Sequence, residues 1–347
     1  MGGRCWSRPW FARYGRRCAA IGLLAVVAAC TPADPTPKPS SSSVTATATA
    51  RPAPADPSAP APSGGPSDGL LHGVGVPLAI TVATDGPTGS LAGLDEVATV
   101  VEYAVTEGTT ALVAVSRAGT AAVGPLRQAT DADIAIAEVF GADLVTSTAS
   151  TATADLVGAR SMGLVEESAP AGAVLRDPAR RAPYNLYTLP DRARQLLGSR
   201  AAELDGPWRR GGATTEGGRT DGEVAVAITA QVDVVWTWDA PAAAWARTDS
   251  AQTERLADGT PVTAATVVVL EVADPRAGMP GSAGVGPAVV LRDGRRHAAR
   301  WSRDRRSAAV ALTSRDGAVF AVDGRVWVTV CAAPCAQQIA PSAPAPG

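Results

Sequence analysis

Between Thr31 and Asp68 the chain runs through Pro, Ser, Thr, Ala and Gly with almost no large apolar side chain. Such a segment cannot bury enough surface to offset its ordering entropy, so it is expected to be disordered, and its prolines make it a semi-extended spacer. Folding is thereby confined to the residues beyond it, and what precedes it needs a separate purpose. Arg4, Arg8, Arg13, Arg16 and Arg17 lead into an apolar run from Ala19 to Ala29, with no acidic residue up to that point. The run is too short to span a bilayer, which takes about 20 apolar residues. It reads as the basic and apolar regions of an export signal. It ends in Val27-Ala28-Ala29-Cys30. Small residues directly before a cysteine form the pattern at which the thiol is diacylated and the chain is cut before Cys30. Several alkyl tails on one residue give stable anchoring. The expectation is a signal peptide over 1–29, a lipidated Cys30 with a tether over 30–70, and a folded part held at the outer face of the cytoplasmic membrane. The bland reading, a short core helix ending in a chance cysteine, is opposed by the spacer, which is no core. Arg16-Arg17 raises twin-arginine export, but the flanking consensus is weak.

Roughly 265 foldable residues remain, enough for two domains of ordinary size. The net charge of −2 gives no electrostatic case for nucleic acid. The basic residues are nearly all arginine, with Lys38 the only lysine. The two histidines are His72, where the spacer ends, and His297, within an arginine-rich stretch. Both are expected on the surface, and neither supports a Ser-His-Asp, Cys-His or histidine-ligated zinc site. No cofactor and no metal is implied. Of five cysteines, Cys5 and Cys18 fall in the signal peptide and Cys30 takes lipid, which leaves Cys331 and Cys335. Outside the membrane such a pair reads as a disulfide closing a small loop. A redox-active pair of the thioredoxin type has two intervening residues and a following helix, neither of which is expected here.

Over 71–205, strand and helix signals alternate. Pro77 to Ala83, Ala111 to Ser116 and Leu144 to Thr146 read as strands. Leu94 to Thr106 carries Val97, Val100, Val101, Ala104 and Val105 at helical spacing. Thr130 and Asp133 form a Thr-x-x-Asp cap ahead of a helix to Gly141, Ala152 to Ala159 reads as another helix, and Thr188 with Asp191 repeats the cap ahead of a helix through Leu197. Alternation of this kind predicts an α/β domain with a mostly parallel sheet. A Gly-, Thr- and Arg-rich linker follows over 206–222. Over 223–333 the period changes. Strands are expected at Val224–Ile228, Val232–Trp238, Thr266–Val272, Ala288–Leu291, Ala298–Trp301, Ala308–Leu312, Val319–Val322 and Val326–Val330. Turns at Asp258-Gly259, Asp293-Gly294, Asp316-Gly317 and Asp323-Gly324 separate several of them. This half is expected to be mostly antiparallel β, with a tail over 334–347. The fold class is α+β overall.

The order of motifs from Pro77 to Val330 resembles the YerB-like lipoproteins, a two-domain bacterial family with no established activity. The carrying stretches are Val100 to Gly108, Gly124-Pro125-Leu126-Arg127, Arg181 to Thr188 (RAPYNLYT), Val235 to Asp239 (VWTWD), Asp258 to Ala264, Arg300-Trp301-Ser302-Arg303 and Gly324 to Val328. The resemblance implies two domains on a lipid anchor. This chain departs from the pattern where Thr130 and Ala111 stand in place of arginines and Tyr184 in place of a histidine. If those positions form the family's site, this member is altered or inactive.

Five residues are candidates for ligand binding. Arg127 follows a Gly-Pro turn just before a helix start, an arrangement suited to an anion; its bland reading is an ion pair with Asp131 or Asp133. Glu102 and Glu107 offer a carboxylate pair for acid–base work, against a solvated role. Asn185 and Tyr187 stand in a Pro-led loop, where amide and phenol groups orient ligands; otherwise Asn185 makes a turn and Tyr187 fills core. Val234, Trp236 and Trp238 share a strand face, a core face more readily than a sugar platform. The seven arginines of Arg292 to Arg306 read as a solvated hairpin face or as a seat for anionic wall polymer or lipid heads. Gly73-Val74-Gly75 and Gly284-Val285-Gly286 do not extend into a phosphate fingerprint. No catalytic group is singled out. The reading is a tethered binding or scaffold protein of the cell envelope, with the membrane, a wall polymer, a wall fragment or an envelope protein as partner. The rivals are an envelope enzyme in which Glu102, Glu107 and Arg127 converge, and a degenerate paralogue with a structural role only.

Overall fold

The computed structural model describes residues 75–117, 119–170, 172–198, 208, 218–249, 252–279, 283–305, 308–314 and 317–339. The export signal, Cys30, the spacer, His72, Gly73-Val74, Asp316 and the last residues of the tail lie outside them. In chain order the elements are β1 (Leu78–Ala83), β2 (Thr99–Thr106), β3 (Thr109–Ser116), α1 (Asp131–Phe140), β4 (Asp143–Val145), α2 (Thr151–Ala159), β5 (Leu164–Val165), β6 (Val174–Arg176), β7 (Leu186–Thr188) and α3 (Pro190–Leu197). There follow β8 (Arg219–Thr220), β9 (Glu223–Ala227), β10 (Asp233–Asp239), β11 (Ala244–Asp249), β12 (Gln252–Thr253), β13 (Thr263–Ala264) and β14 (Thr266–Val272), then β15 (Gly284–Arg292), β16 (Arg295–Arg303), β17 (Ala311–Ser314), β18 (Val326–Ala332) and the short α4 (Cys335–Gln338).

Among the described residues, eleven strands form one sheet in the order β17-β16-β15-β14-β18-β2-β3-β1-β4-β5, with β8 paired to β16. Among ladders of the N-terminal strands in it, β1–β4, β4–β5 and β2–β18 are parallel, and both ladders of β3 are antiparallel. The C-terminal strands pair antiparallel except β18, which runs parallel to both β14 and β2. The last of the described strands thus lies between the two halves and closes them into one sheet. A second sheet of five strands, β12-β11-β10-β9 with β13 on β11, is contributed by the C-terminal half.

The large sheet is buried on both faces. On one face Val101, Tyr103, Val113 and Leu144 pack with Ile136, Val139 and Phe140 of α1 and Val157 of α2. On the other, Val100, Ala104, Val267 and Trp327 pack with Val226, Val234, Trp236 and Trp245 of the second sheet. The fold is therefore three layers, helices over sheet over sheet, and the sequence class α+β holds. Two-sided burial also explains the main correction. Leu94 to Thr106 was expected as a helix, but Thr99–Thr106 is strand β2, buried from Thr99 through Ala104. A strand buried on both faces shows no polar alternation, and its apolar spacing is not distinguishable from that of a helix.

The Thr130–Asp133 cap is present: Asp133 Oδ2 accepts from the Thr130 amide at 2.7 Å, and Gly141 ends α1 in the left-handed region. The second cap is not. Thr188 is the end of β7, its hydroxyl donates to the Ala173 carbonyl at 2.8 Å, and α3 begins at Pro190 instead. Val319 makes a single bridge to Thr313 rather than a strand. Strand β11 has no counterpart in the sequence reading, because Ala244-Trp245-Ala246-Arg247 lacks a β-branched run. The tail also begins later than 334: Cys335, Ala336 and Ile339 are core residues. His297 is not a surface residue. It is 5% exposed and packs edge-on against Phe320, with ring centroids 5.5 Å apart. Asp293-Gly294 turns β15 into β16 with φ of 51° and 69°, the positive-φ pair that a two-residue hairpin turn needs. Across that hairpin, Trp301 lies over Gly284 and Gly286 and donates to the Glu271 carbonyl at 2.8 Å, which accounts for the Gly-x-Gly piece.

Candidate functional site

The five expected residues do not come together. Glu102 and Tyr103 are neighbours on β2, and successive side chains of a strand point to opposite faces. Tyr103 faces α1, where its hydroxyl accepts from Arg127 Nη2 at 3.0 Å. Arg127 also forks onto Asp133, with Nη2 to Oδ1 at 2.6 Å and Nη1 to Oδ2 at 2.9 Å. Burial works against the guanidinium charge, but the Asp133 carboxylate and its hydrogen bonds hold the Arg127 pKa above its ordinary value. Burial, with Asp133 beside it, likewise holds the Tyr103 phenol well above its usual range. Arg127 is thus the ion-paired arginine of its bland reading, closing the end of α1 onto the sheet.

Glu102 faces the other way, into the second sheet. It accepts from Arg247 Nη2 at 2.7 Å, from the Trp327 indole at 3.0 Å and from the Thr110 hydroxyl at 3.1 Å. Both partners of the pair are buried, Glu102 at 0% and Arg247 at 3% side-chain exposure. Glu107 sits in the exposed turn after β2 and pairs with Arg276. Asn185 accepts from Arg176 Nη1 at 2.8 Å, beside the exposed Arg176–Glu167 pair. Tyr187 is core, as its bland reading had it; its hydroxyl donates to the Ser90 carbonyl at 2.9 Å, and burial pushes the phenol pKa up. Val234 and Trp236 are fully buried and Trp238 is partly buried against the same core, so the aromatic strip is core. In the arginine-rich hairpin Arg292 and Arg303 are buried, whereas Arg295 and Arg300 are exposed. Cys331 and Cys335 form the expected disulfide.

Among the described residues are two concavities with charged residues in their walls. One, of about 520 Å³, lies between the end of β18, the β9–β10 turn and the Pro275–Ala277 turn, with alanines 104, 227, 273 and 332, Cys335 and the Glu107–Arg276 pair in its walls. The other, of about 330 Å³, lies at the C-terminal end of β1. Its walls are the loop Thr84–Leu91 from the N-terminal half and Thr253, Glu254 and Arg255 from the C-terminal half.

Both walls are fixed. The Ser90 amide donates to the Pro87 carbonyl at 2.9 Å, Arg180 to the Gly89 carbonyl at 3.1 Å and the Ala257 amide to the Leu91 carbonyl at 2.7 Å. Tyr184 packs on Gly86 so closely that a Cβ there would stand 3.0 Å from its ring and 2.7 Å from the Ser90 hydroxyl. On the opposite wall Glu254 pairs with Arg247, which the buried Glu102 holds in turn. Sequence reasoning missed Glu254 and Arg255 because they follow a strand that carries no strong strand signal. The legible hint was the Gly-, Pro- and Thr-rich loop Asp85-Gly86-Pro87-Thr88-Gly89 directly after the first buried strand. Of the departures noted above, Tyr184 stands beside this crevice, Thr130 beside Arg127, and Ala111 is buried in β3.

The likenesses to known proteins agree with the fold. A comparison with curated proteins finds no match. The crystal structure of the YerB protein from Bacillus subtilis superposes with a TM-score of 0.59 at 17% identity, covering 74% of this chain and 91% of that one. Residues 73–203 match the N-terminal domain of a protein of unknown function, DUF3048, and residues 224–328 match its C-terminal domain. With both domain models matched in order over most of its length, the chain belongs to the DUF3048 family.

Proposed function

We propose that this protein is a binding protein of the cell envelope, exported, lipid-anchored through Cys30 at the outer face of the cytoplasmic membrane, with its ligand seat in the crevice between Thr84–Leu91 and Thr253–Arg255. The observation that carries the binding part is the crevice itself: two walls from opposite halves of the chain, each fixed by hydrogen bonds before any ligand arrives. A preformed concavity with a few convergent polar groups is the usual form of a small-ligand site. The anchoring part rests on Val27-Ala28-Ala29-Cys30 behind a basic, apolar N-terminus and ahead of the Pro-rich spacer. The enzymatic rival needs Glu102, Glu107 and Arg127 to reach one substrate. Glu102 and Arg127 instead engage opposite faces of one sheet, and each is already bound to a buried partner of opposite charge.

Two measurements test the reading. Metabolic labelling with an alkyne fatty acid is expected to mark the full chain and to fail on Cys30→Ser. Thermal unfolding of the full chain in detergent, against muropeptides, anionic wall polymer and glycan oligomers, is expected to show a saturable rise in melting temperature. That rise is expected to vanish in Thr88→Trp, which fills the crevice. A rise that survives Thr88→Trp places the ligand elsewhere and sinks the crevice reading.

A further inference from the structure

We infer that the crevice takes a neutral, polyhydroxylated ligand, a sugar unit of a glycan strand, with Glu254 as acceptor and Arg255 as donor to its hydroxyls. This rests on the reading of the crevice as the ligand seat.

Charge selects the class first. Two ionised side chains line the crevice, Glu254 and Arg255, adjacent in sequence and opposite in sign. Neither sign predominates among these lining side chains, so they select neither a polyanion nor a polycation. The remaining lining is rich in hydroxyls: Thr84, Thr88, Ser90 and Thr253. A hydroxyl both donates and accepts, and so does each hydroxyl of a sugar. The Thr84 hydroxyl already donates to the Thr110 carbonyl at 2.6 Å, which leaves it to act toward a ligand as an acceptor. Apolar surface is limited to Leu91 and Pro87, too little to hold a greasy ligand but suited to the C–H face of one ring. The volume of about 330 Å³ lies at the small end of ligand sites, which run from roughly 300 to 1,000 Å³.

Geometry then assigns the readers. A carboxylate beside a guanidinium is the pairing that reads neighbouring hydroxyls, because the carboxylate accepts from both O–H groups and the planar guanidinium donates to their oxygens. Glu254 is aimed by Arg247, whose position is set by the buried Glu102. Arg255 donates from Nη1 to the Gly259 carbonyl at 2.7 Å, which tethers one end of its guanidinium while its side chain stays exposed. Both readers are held by a protein partner before binding, which lowers the entropic cost of a weak, many-bonded ligand.

The test is titration calorimetry of the full chain in detergent with three probes: a tetramer of N-acetylglucosamine, poly(glycerol phosphate) and a tetrapeptide of wall composition. The tetrasaccharide is expected to bind saturably, and Arg255→Ala and Thr88→Trp are each expected to weaken it roughly tenfold or more. Arg255 is exposed, so the alanine variant should keep the wild-type melting temperature. Binding is expected to change less than about twofold between about 50 and about 500 mM salt, since no net charge is neutralised. The sugar assignment is overturned, with the crevice reading intact, if the polymer or peptide binds instead and Thr88→Trp abolishes that binding. If the tetrasaccharide binds both variants as it binds the wild type, the crevice is not its seat, and both the assignment and the reading beneath it fail. Failure of all three probes to bind also overturns the assignment.

Discussion

Arg247 on the small sheet donates to Glu102 on the large sheet at 2.7 Å, across 145 residues of chain. The pair sits where β10, β11 and β18, each bearing a tryptophan, meet: Trp327 donates to the same carboxylate, Trp236 packs on Trp327 at 5.5 Å between ring centroids, and the guanidinium lies 5.5 Å over the Trp327 ring. It joins the N-terminal half to the C-terminal half inside the core, and it anchors one wall of the crevice through Glu254.

Removing one partner leaves an uncompensated buried charge. Arg247→Met is expected to cost about 3–5 kcal/mol in urea unfolding. The double variant Glu102→Leu with Arg247→Met is expected to recover most of that loss, because a buried ion pair contributes little against an apolar pair of similar volume. A double variant as unstable as the single one would show the pair to be a net source of stability.

Arg127→Ala is expected to destabilise by about 3 kcal/mol, through the buried Asp133 it abandons. Ligand affinity at the crevice is expected to stay at the wild-type value, since Arg127 lies on the helical side of the sheet. Loss of affinity at unchanged stability would return Arg127 to the list of ligand contacts.

His297 carries the clearest pH dependence. Burial lowers its folded pKa, Arg295 and Arg292 add to that, and Asp293 opposes them. The native state then binds fewer protons than the unfolded state. Stability is complete above the ordinary histidine value of about 6.5 and is lost as pH falls through the depressed folded value. Equilibrium unfolding of wild type and His297→Gln from about pH 8 to about pH 5 checks this, with the slope expected to flatten in the variant. A slope unchanged in the variant would assign the acid limb to carboxylates instead.

The family's N-terminal domain, 73–203, is not expected to stand alone. Without β18 one edge of β2 exposes its backbone donors and acceptors, and one face of β1–β3 loses the second sheet. A bare buried edge invites association. The isolated fragment is expected to elute as aggregate or to lack a cooperative thermal transition, and a monomer with a sharp transition would contradict this.

Replacing Cys331 and Cys335 together by alanine is expected to cost about 2 kcal/mol, the loop-closure value for so short a ring. The loss should be confined to α4 and Ile339, which hydrogen exchange of the Ala336 amide, held by the buried Glu271 at 3.0 Å, would read.

Local chemistry was legible in the sequence wherever a residue's role is settled by its near neighbours. The Thr130–Asp133 cap, the Asp293-Gly294 turn, the Cys331–Cys335 pair and the bland role of Arg127 beside Asp133 all fall within seven residues of their partners. Alternating periods along the chain also sufficed for the α+β class and the order of the two halves. Period failed at β2, whose two faces are both covered, and at β11, whose strand state is imposed by β10 and not by its own residues.

Only the tertiary structure decided that β18 lies between β14 and β2, that Glu102 faces Arg247, and that the Thr84–Leu91 loop meets Thr253–Arg255. Each joins segments far apart in the chain, Thr266 with Val326 in the β14–β18 ladder and Glu102 with Arg247 across 145 residues, and nothing in a strand's own period says which strand will pair with it. Register and sheet order follow from the fit of whole faces, here the covering of one sheet by helices on one side and a second sheet on the other. The sequence by itself determined which residues turn, cap and cross-link; the packing of distant strands determined which of them surround a ligand.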